Sequence, residues 1–94
     1  MNRFPSIELI EANHDFPGLY TFKAIGDARE DFAGRVLAAA KQATSPGIEP
    51  KVSVREADGG RHAAVTLEIQ VASAIQVHAI YESLMKVAGL LVLL

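Results

Sequence analysis

The polar and apolar positions of the chain fall into two periods. In "LYTFKAI", residues 19–25, they alternate: Tyr20, Phe22 and Ala24 point one way, Thr21, Lys23 and Ile25 the other. That is the period of a β-strand with one good apolar face. "PKVSVREA", residues 50–57, alternates again, with Val52 and Val54 inward. "HAAVTLEIQV", residues 62–71, is the clearest strand, with Val65, Leu67, Ile69 and Val71 on one face and Thr66, Glu68 and Gln70 on the other. Between the first two strands the period becomes helical. "AREDFAGRVLAAAKQA", residues 28–43, carries Phe32, Val36, Leu37 and Ala40 as one stripe and places Asp31 and Arg35 to pair at i,i+4 on the outside. A second helix, "AIQVHAIYESLMKVA", residues 74–88, turns Val77, Ile80, Tyr81, Leu84 and Val87 inward and pairs Glu82 with Lys86 outward.

The residues between these segments are punctuation. Gly26 ends the first strand, and Asp27 with Glu30 has the form of a capping box for the first helix. "TSPG", residues 44–47, breaks that helix, and "DGG", residues 58–60, is a hairpin signal. Ser73 with Gln76 caps the second helix and Gly89 stops it. Gly34 inside the first helix costs about 1 kcal/mol relative to alanine, which close approach to a sheet would offset. Residues 1–17 form an N-terminal arm, in which Ser6 can cap a short helix, "IELIEA", with Ile7 and Ile10 inward. So short a helix needs something to dock on.

The order is β-α-β-β-α-β over one domain, residues 1–94. Two right-handed crossovers place both helices on one face of a four-stranded antiparallel sheet. This is an α+β, ferredoxin-like sandwich, with the first and third strands central and the second and fourth at the edges. The covered face holds Phe22, Ala24, Val54, Val65, Leu67 and Ile69. The open face shows Lys23, Ile25, Ser53, Arg55, Thr66, Glu68 and Gln70, with Lys23 and Arg55 flanking Glu68.

The last strand breaks the pattern. "LLVLL", Leu90, Leu91, Val92, Leu93 and Leu94, is apolar on both faces. An edge strand usually carries charge or proline against unwanted pairing, and this one carries neither. Two covers are open to it. The arm can fold over it with Ile7, Leu9 and Ile10, or another protomer can, which makes residues 90–94 a candidate interface.

Composition removes several functions. The chain has 94 residues, half of them apolar, and a net charge of −2, so no basic excess draws it to phosphate backbones. Cysteine is absent, which excludes disulfides, thiolate metal sites and thiol catalysis. The N-terminus lacks the apolar run of a signal peptide, and the C-terminal run is far short of the roughly 20 residues that span a bilayer. A cytoplasmic protein with no membrane contact is the expectation.

The remaining chemistry is sparse. His14, His62 and His78 have no partner at metal-ligand spacing except His78 with Glu82, and a solvated helix face accounts for that pair. No strained nucleophile turn and no phosphate-wrapping loop is present. Lys51, Arg55 and Arg61 suggest an anion patch, but Glu56 and Asp58 interrupt it. RNA-recognition modules share the βαββαβ plan and expose aromatics on the two central strands. Here Tyr20 and Phe22 face the core and the third strand has no aromatic, which argues against nucleic acid. Gly26 and Asp27, at the turn from a central strand into a helix, are the candidate ligand-binding residues, since unpaired N–H groups at such a turn can hold an anion. An ordinary capped helix start is the simpler reading of the same residues and the favoured one.

"FPGLYTFKAIGDA", the helix after it, and "PKVSVREADGGRHAAVTLEIQVASAIQVHAIYESL" resemble the YbeD-like family of small bacterial proteins. The matching features are Phe16 and Pro17, the strand from Tyr20 to Gly26, the helix from Ser73 to Leu84, and the C-terminal leucine strand. The resemblance brings no activity, catalytic residue, metal or cofactor with it. It implies a ferredoxin-like fold similar to the ACT regulatory domains, which bind small effectors between protomers near the first strand-to-helix turn. Gly26 and Asp27 stand at that place. The expectation is a non-enzymatic regulatory or binding module, with a protein partner or homo-oligomer and a small-molecule effector as partners. RNA binding on the same fold is the alternative.

Overall fold

A computed structural model of the chain describes residues 4–94. Three α-helices and four strands follow in the order α1 (Ile7–Asn13), β1 (Gly18–Asp27), α2 (Phe32–Lys41), β2 (Lys51–Ala57), β3 (His62–Val71), α3 (Ala74–Leu84) and β4 (Leu90–Leu93). A 3₁₀ turn, Asp58–Gly60, closes the β2–β3 hairpin. The strands make one antiparallel sheet in the spatial order β2-β3-β1-β4. The two strands with the cleanest alternation, β1 and β3, are its centre, paired from Gly18 opposite Val71 to Asp27 opposite His62.

This register places Tyr20, Phe22 and Ala24 opposite Ile69, Leu67 and Val65, and all six are buried. On this face pack Phe32, Val36 and Ala40 of α2 and Ala74, Val77, Ile80, Tyr81 and Leu84 of α3. Each large side chain taken fully from water contributes about 1.5–3 kcal/mol, and with no disulfide this core carries the stability. The Tyr20 and Tyr81 hydroxyls meet within it at 3.1 Å, so neither polar tip is left without a partner. Burial, and then the Tyr20 hydroxyl, push the Tyr81 phenol above the usual tyrosine range.

The two helices on the sheet are both capped at their starts, but of these only α3 as the sequence suggests. Ser73 Oγ accepts from Gln76 N–H at 3.2 Å, and Gln76 Oε1 reaches back to accept from Ala72 N–H at 2.7 Å. The Gln76 amide also donates to the Ala43 carbonyl and to Ser45 Oγ, pinning α3 to the end of α2. For α2 the cap is Asp31, not Asp27. β1 runs one residue past Gly26 and ends at Asp27, and α2 starts only at Phe32. Asp31 Oδ1 accepts from Gly34 N–H at 3.2 Å. A Cβ on Gly34 would displace that Asp31 carboxylate, so the glycine makes room for the cap rather than for approach to the sheet. Arg35 therefore does not pair with Asp31. Its guanidinium donates to the carbonyls of Glu30, Arg29 and Ala88, tying the start of α2 to the turn before β4.

The edges depart furthest from expectation. Val52 and Val54 lie opposite Leu67 and Val65, hence on the helix side, yet Val54 is 53% exposed. The buried helix residues sit over β1 and β3, and β2 overhangs them. On the other face Lys51, not Arg55, stands opposite Glu68, with Nζ 3.9 Å from the carboxylate. α3 ends at Leu84, so Lys86 falls in the following turn, and no ion pair to Glu82 forms among the described residues.

The arm does form its capped helix, and Ile10 is buried, but α1 docks on α3 rather than over β4. The Phe4 ring stacks on Tyr81 with centroids 4.7 Å apart and meets His78 edge-on. His78 Nε2 donates to the Pro5 carbonyl at 2.7 Å. His78 is thus a docking residue for the arm and not part of a solvated face.

Candidate functional site

Two regions have the geometry of a site. The first lies where β1 leaves the sheet. Asp27 pairs with His62 in the sheet register, so the β1 end and the β2–β3 hairpin close a cleft of about 560 Å³ lined by Asp27, Ala28, Arg29, Gly60, Arg61 and His62. A second cleft of about 260 Å³ adjoins it, between Asp27, Arg29, Glu30, Arg35, Ala88 and Gly89. Asp27 lines both.

The charges here are mutually engaged. Arg29 grips the Asp27 carboxylate with Nε at 3.0 Å and its terminal nitrogen at 2.6 Å, while Arg29 N–H donates to Asp27 Oδ1. The guanidinium and that N–H hold the Asp27 carboxyl well below the usual carboxylate range, and the carboxylate raises Arg29 in turn. Arg61 pairs with Asp58 at 3.1 Å, and His62 Nδ1 lies 3.5 Å from the other Asp58 oxygen. Two N–H groups of this strand-to-helix connection, those of Arg29 and Gly34, already donate to carboxylates of the chain. Glu30 and Asp31 adopt left-handed backbone, φ 58° and 53°, to make this turn.

Gly26 lines neither cleft. A Cβ there would lie 2.5 Å from the Gly89 carbonyl oxygen and from the Phe32 ring. Its lack of a side chain lets β4 and α2 close on β1. Of the two candidate ligand residues, Asp27 is in reach of solvent and Gly26 is a packing position.

The second region is the outer edge of β4. Ala24 pairs with Leu93 and Ile25 with Val92, but Gly26 pairs with Leu90, so Leu91 is an extra residue in a bulge. The bulge breaks the simple alternation. Leu90 and Leu93 turn toward the core, while Leu91, Val92 and Leu94 are 62%, 42% and 62% exposed. Phe4, Met85 and Val87 join residues 90–94 in a groove of about 470 Å³ with no charged side chain among its described lining residues.

The edge backbone is also open. Leu94 and Lys23 exchange both hydrogen bonds, at 2.8 and 2.9 Å. Bonded and non-bonded pairs alternate along an antiparallel ladder. Val92 therefore faces β1 with its backbone groups, and the N–H and C=O of Leu93 point outward. The bulged Leu91 is left unpaired by the same ladder. Residues 90–94 are thus brought together with Phe4 and Met85, which the sequence reading missed. Only the register of α1 on α3 and the end of α3 at Leu84 bring them there. Arg61 and His62 were missed at the clefts because only cross-sheet register brings them to Asp27, and Arg29 and Arg35 because their partners are set by the left-handed turn at Glu30 and Asp31 and by the approach of Ala88.

Residues 11–94 match the model of a family described as a protein of unknown function, DUF493. The chain belongs to that family. Curated relatives agree. A UPF0250 protein of Shewanella amazonensis is 32% identical over 75 residues, covering 80% of this chain and 83% of its own. The UPF0250 protein of Shewanella frigidimarina is 35% identical over the same coverage. The family match supports the YbeD-like resemblance drawn from the sequence motifs. It starts inside α1, so Phe4, Pro5 and Ser6 of the arm lie outside it. No helix among the described residues is long and apolar enough to cross a membrane.

Proposed function

We propose that this protein is a non-enzymatic binding module of ferredoxin-like architecture, and that its working surface is the outer edge of β4. The architectural reading is supported by the strand order β2-β3-β1-β4 and by α2 and α3 sharing one face. The functional reading rests on one observation: an edge strand with outward-facing backbone groups at Leu93, apolar on both sides, opens onto a groove with no charged side chain among its described lining residues. Such an edge is a template for a partner's extended segment, with main-chain hydrogen bonds supplying affinity and flanking pockets supplying selectivity.

A second reading places a small effector in the clefts at Asp27, as the likeness to ACT domains suggests. Its support is that both clefts meet at that carboxylate between Arg29, Arg35 and Arg61. RNA binding is weaker than either, because the rings of Tyr20 and Phe22 are buried in the core and offer no stacking surface.

One amide-resolved NMR titration separates these readings. A short, lysine-flanked apolar strand peptide should shift Leu91 and Leu93 and leave Asp27 and Arg29 still. Free amino acids and small carboxylates should do the reverse if the effector reading holds. A peptide that moves no β4 amide removes the edge reading.

A further inference from the structure

The binding reading says that β4 accepts a strand; we infer further, and resting on it, that the strand is β4 of a second copy of this chain, paired antiparallel about a dyad through Val92. Three features of the edge point to this occupant.

The first is register. "LLVLL" reads the same in both directions about Val92. In a two-fold antiparallel pair, residue i faces the mirror residue of the other copy. A dyad at Val92 sets Leu91 against the partner's Leu93 and Leu93 against the partner's Leu91. Leu93 is the residue whose backbone groups the ladder turns to the free edge, and Leu91 is the one the bulge leaves without a partner on β1. Any other centre within residues 90–94 leaves one of them without a counterpart.

The second is charge. None of the groove's described side chains is charged, so nothing in it selects a charged segment. A net charge of −2 sets little repulsion between copies. β4 itself is the uncharged, two-sided apolar strand that this edge accommodates.

The third is area, which fixes the kind of dimer. Leu91, Val92 and Leu94 are 62%, 42% and 62% exposed. Covering them with the groove wall removes on the order of a few hundred Å² per copy, below the roughly 800 Å² per partner of a standard stable complex. The dimer is reversible and concentration-dependent. The dyad stands perpendicular to the sheet, so both helix layers lie on one side of a continuous eight-stranded sheet. Val92 of each copy meets the other on the open face, beside Ile25.

Sedimentation velocity of the full chain from about 10 µM to about 1 mM, in parallel with the peptide titration, tests this. The expected result is a monomer at the low end and a rising dimer fraction at the high end. In Leu91→Asp the dimer should weaken at least tenfold while the circular dichroism and the amide spectrum stay folded. Val92→Lys, at another exposed site, should do the same and guards against misfolding of the first variant. A chain monomeric at about 1 mM whose Leu91 and Leu93 amides still move with the peptide overturns the second copy and keeps the edge. A monomer that also ignores the peptide overturns both. A dimer that survives both variants overturns the assignment to β4.

Discussion

Gly26→Ala measures how tightly the β4 edge is built onto the sheet. The substitution adds one methyl group, 2.5 Å from the Gly89 carbonyl oxygen and from two carbons of the Phe32 ring. An ordinary carbon contact is near 3.5–4.0 Å, so roughly 1 Å of overlap must be relieved. The Phe32 ring is buried in the core, and the Gly89 carbonyl is fixed by accepting Asp27 N–H at 3.0 Å. Overpacking of this kind costs about 1–3 kcal/mol, and loss of the hydrogen bond adds about 1 kcal/mol. Replacing glycine within a strand returns about 0.5–1 kcal/mol through the unfolded chain. The net expectation is a loss of about 1–3.5 kcal/mol, a fall in Tm of at least roughly 5 °C for a domain of this size. Urea unfolding by circular dichroism, with the slope m checked for constancy, reads it directly. A variant within about 0.5 kcal/mol of the parent would refute the packing role and return Gly26 to the candidate ligand-site residues.

Three further outcomes rest on individual contacts. Gln76→Ala removes one acceptor and two donor contacts joining Ala72, Ala43 and Ser45, and should cost about 1–3 kcal/mol in the same urea assay. In Tyr81 the folded phenol titrates above the unfolded one, so its contribution is complete below about pH 10 and is lost as pH rises toward the folded value; stability should fall on that alkaline limb, and Tyr81→Phe should flatten it. Asp27 titrates lower in the folded chain than in the unfolded one, so its contribution is present above about pH 4 and fades as pH falls; Asp27→Asn should remove that acid dependence, and because the pair with Arg29 is exposed the change should shrink in high salt.

The centre of the sheet is legible in the sequence because β1 and β3 each bury one face against helices. Alternation then writes the burial directly into Tyr20, Phe22 and Ala24, and into Val65, Leu67, Ile69 and Val71. The same is true of Ser73, whose capping partner is three residues away in the chain. What fails to read is whatever depends on a neighbour far along the chain. Val52 and Val54 alternate correctly, yet the helices stop short of them. Asp27 and Asp31 both have the chemistry of a cap, and the left-handed backbone at Glu30 and Asp31 decides between them. The bulge at Leu91 is invisible in a run of leucines, since every register of "LLVLL" is equally apolar. Phe4 reaches the β4 groove only because α1 docks on α3, and nothing local in "FPSIELI" carries that direction.

Amide hydrogen exchange at Leu91 and Leu93 tests the claim about β4 most directly. In the dilute protein both amides should exchange quickly, since Leu93 N–H points to the free edge and Leu91 sits in the bulge. Saturation with the apolar strand peptide, or concentration toward about 1 mM, should slow both by at least tenfold while the buried β1–β3 amides stay unchanged. Exchange at Leu91 and Leu93 that remains fast under both conditions would contradict a docking role for this edge.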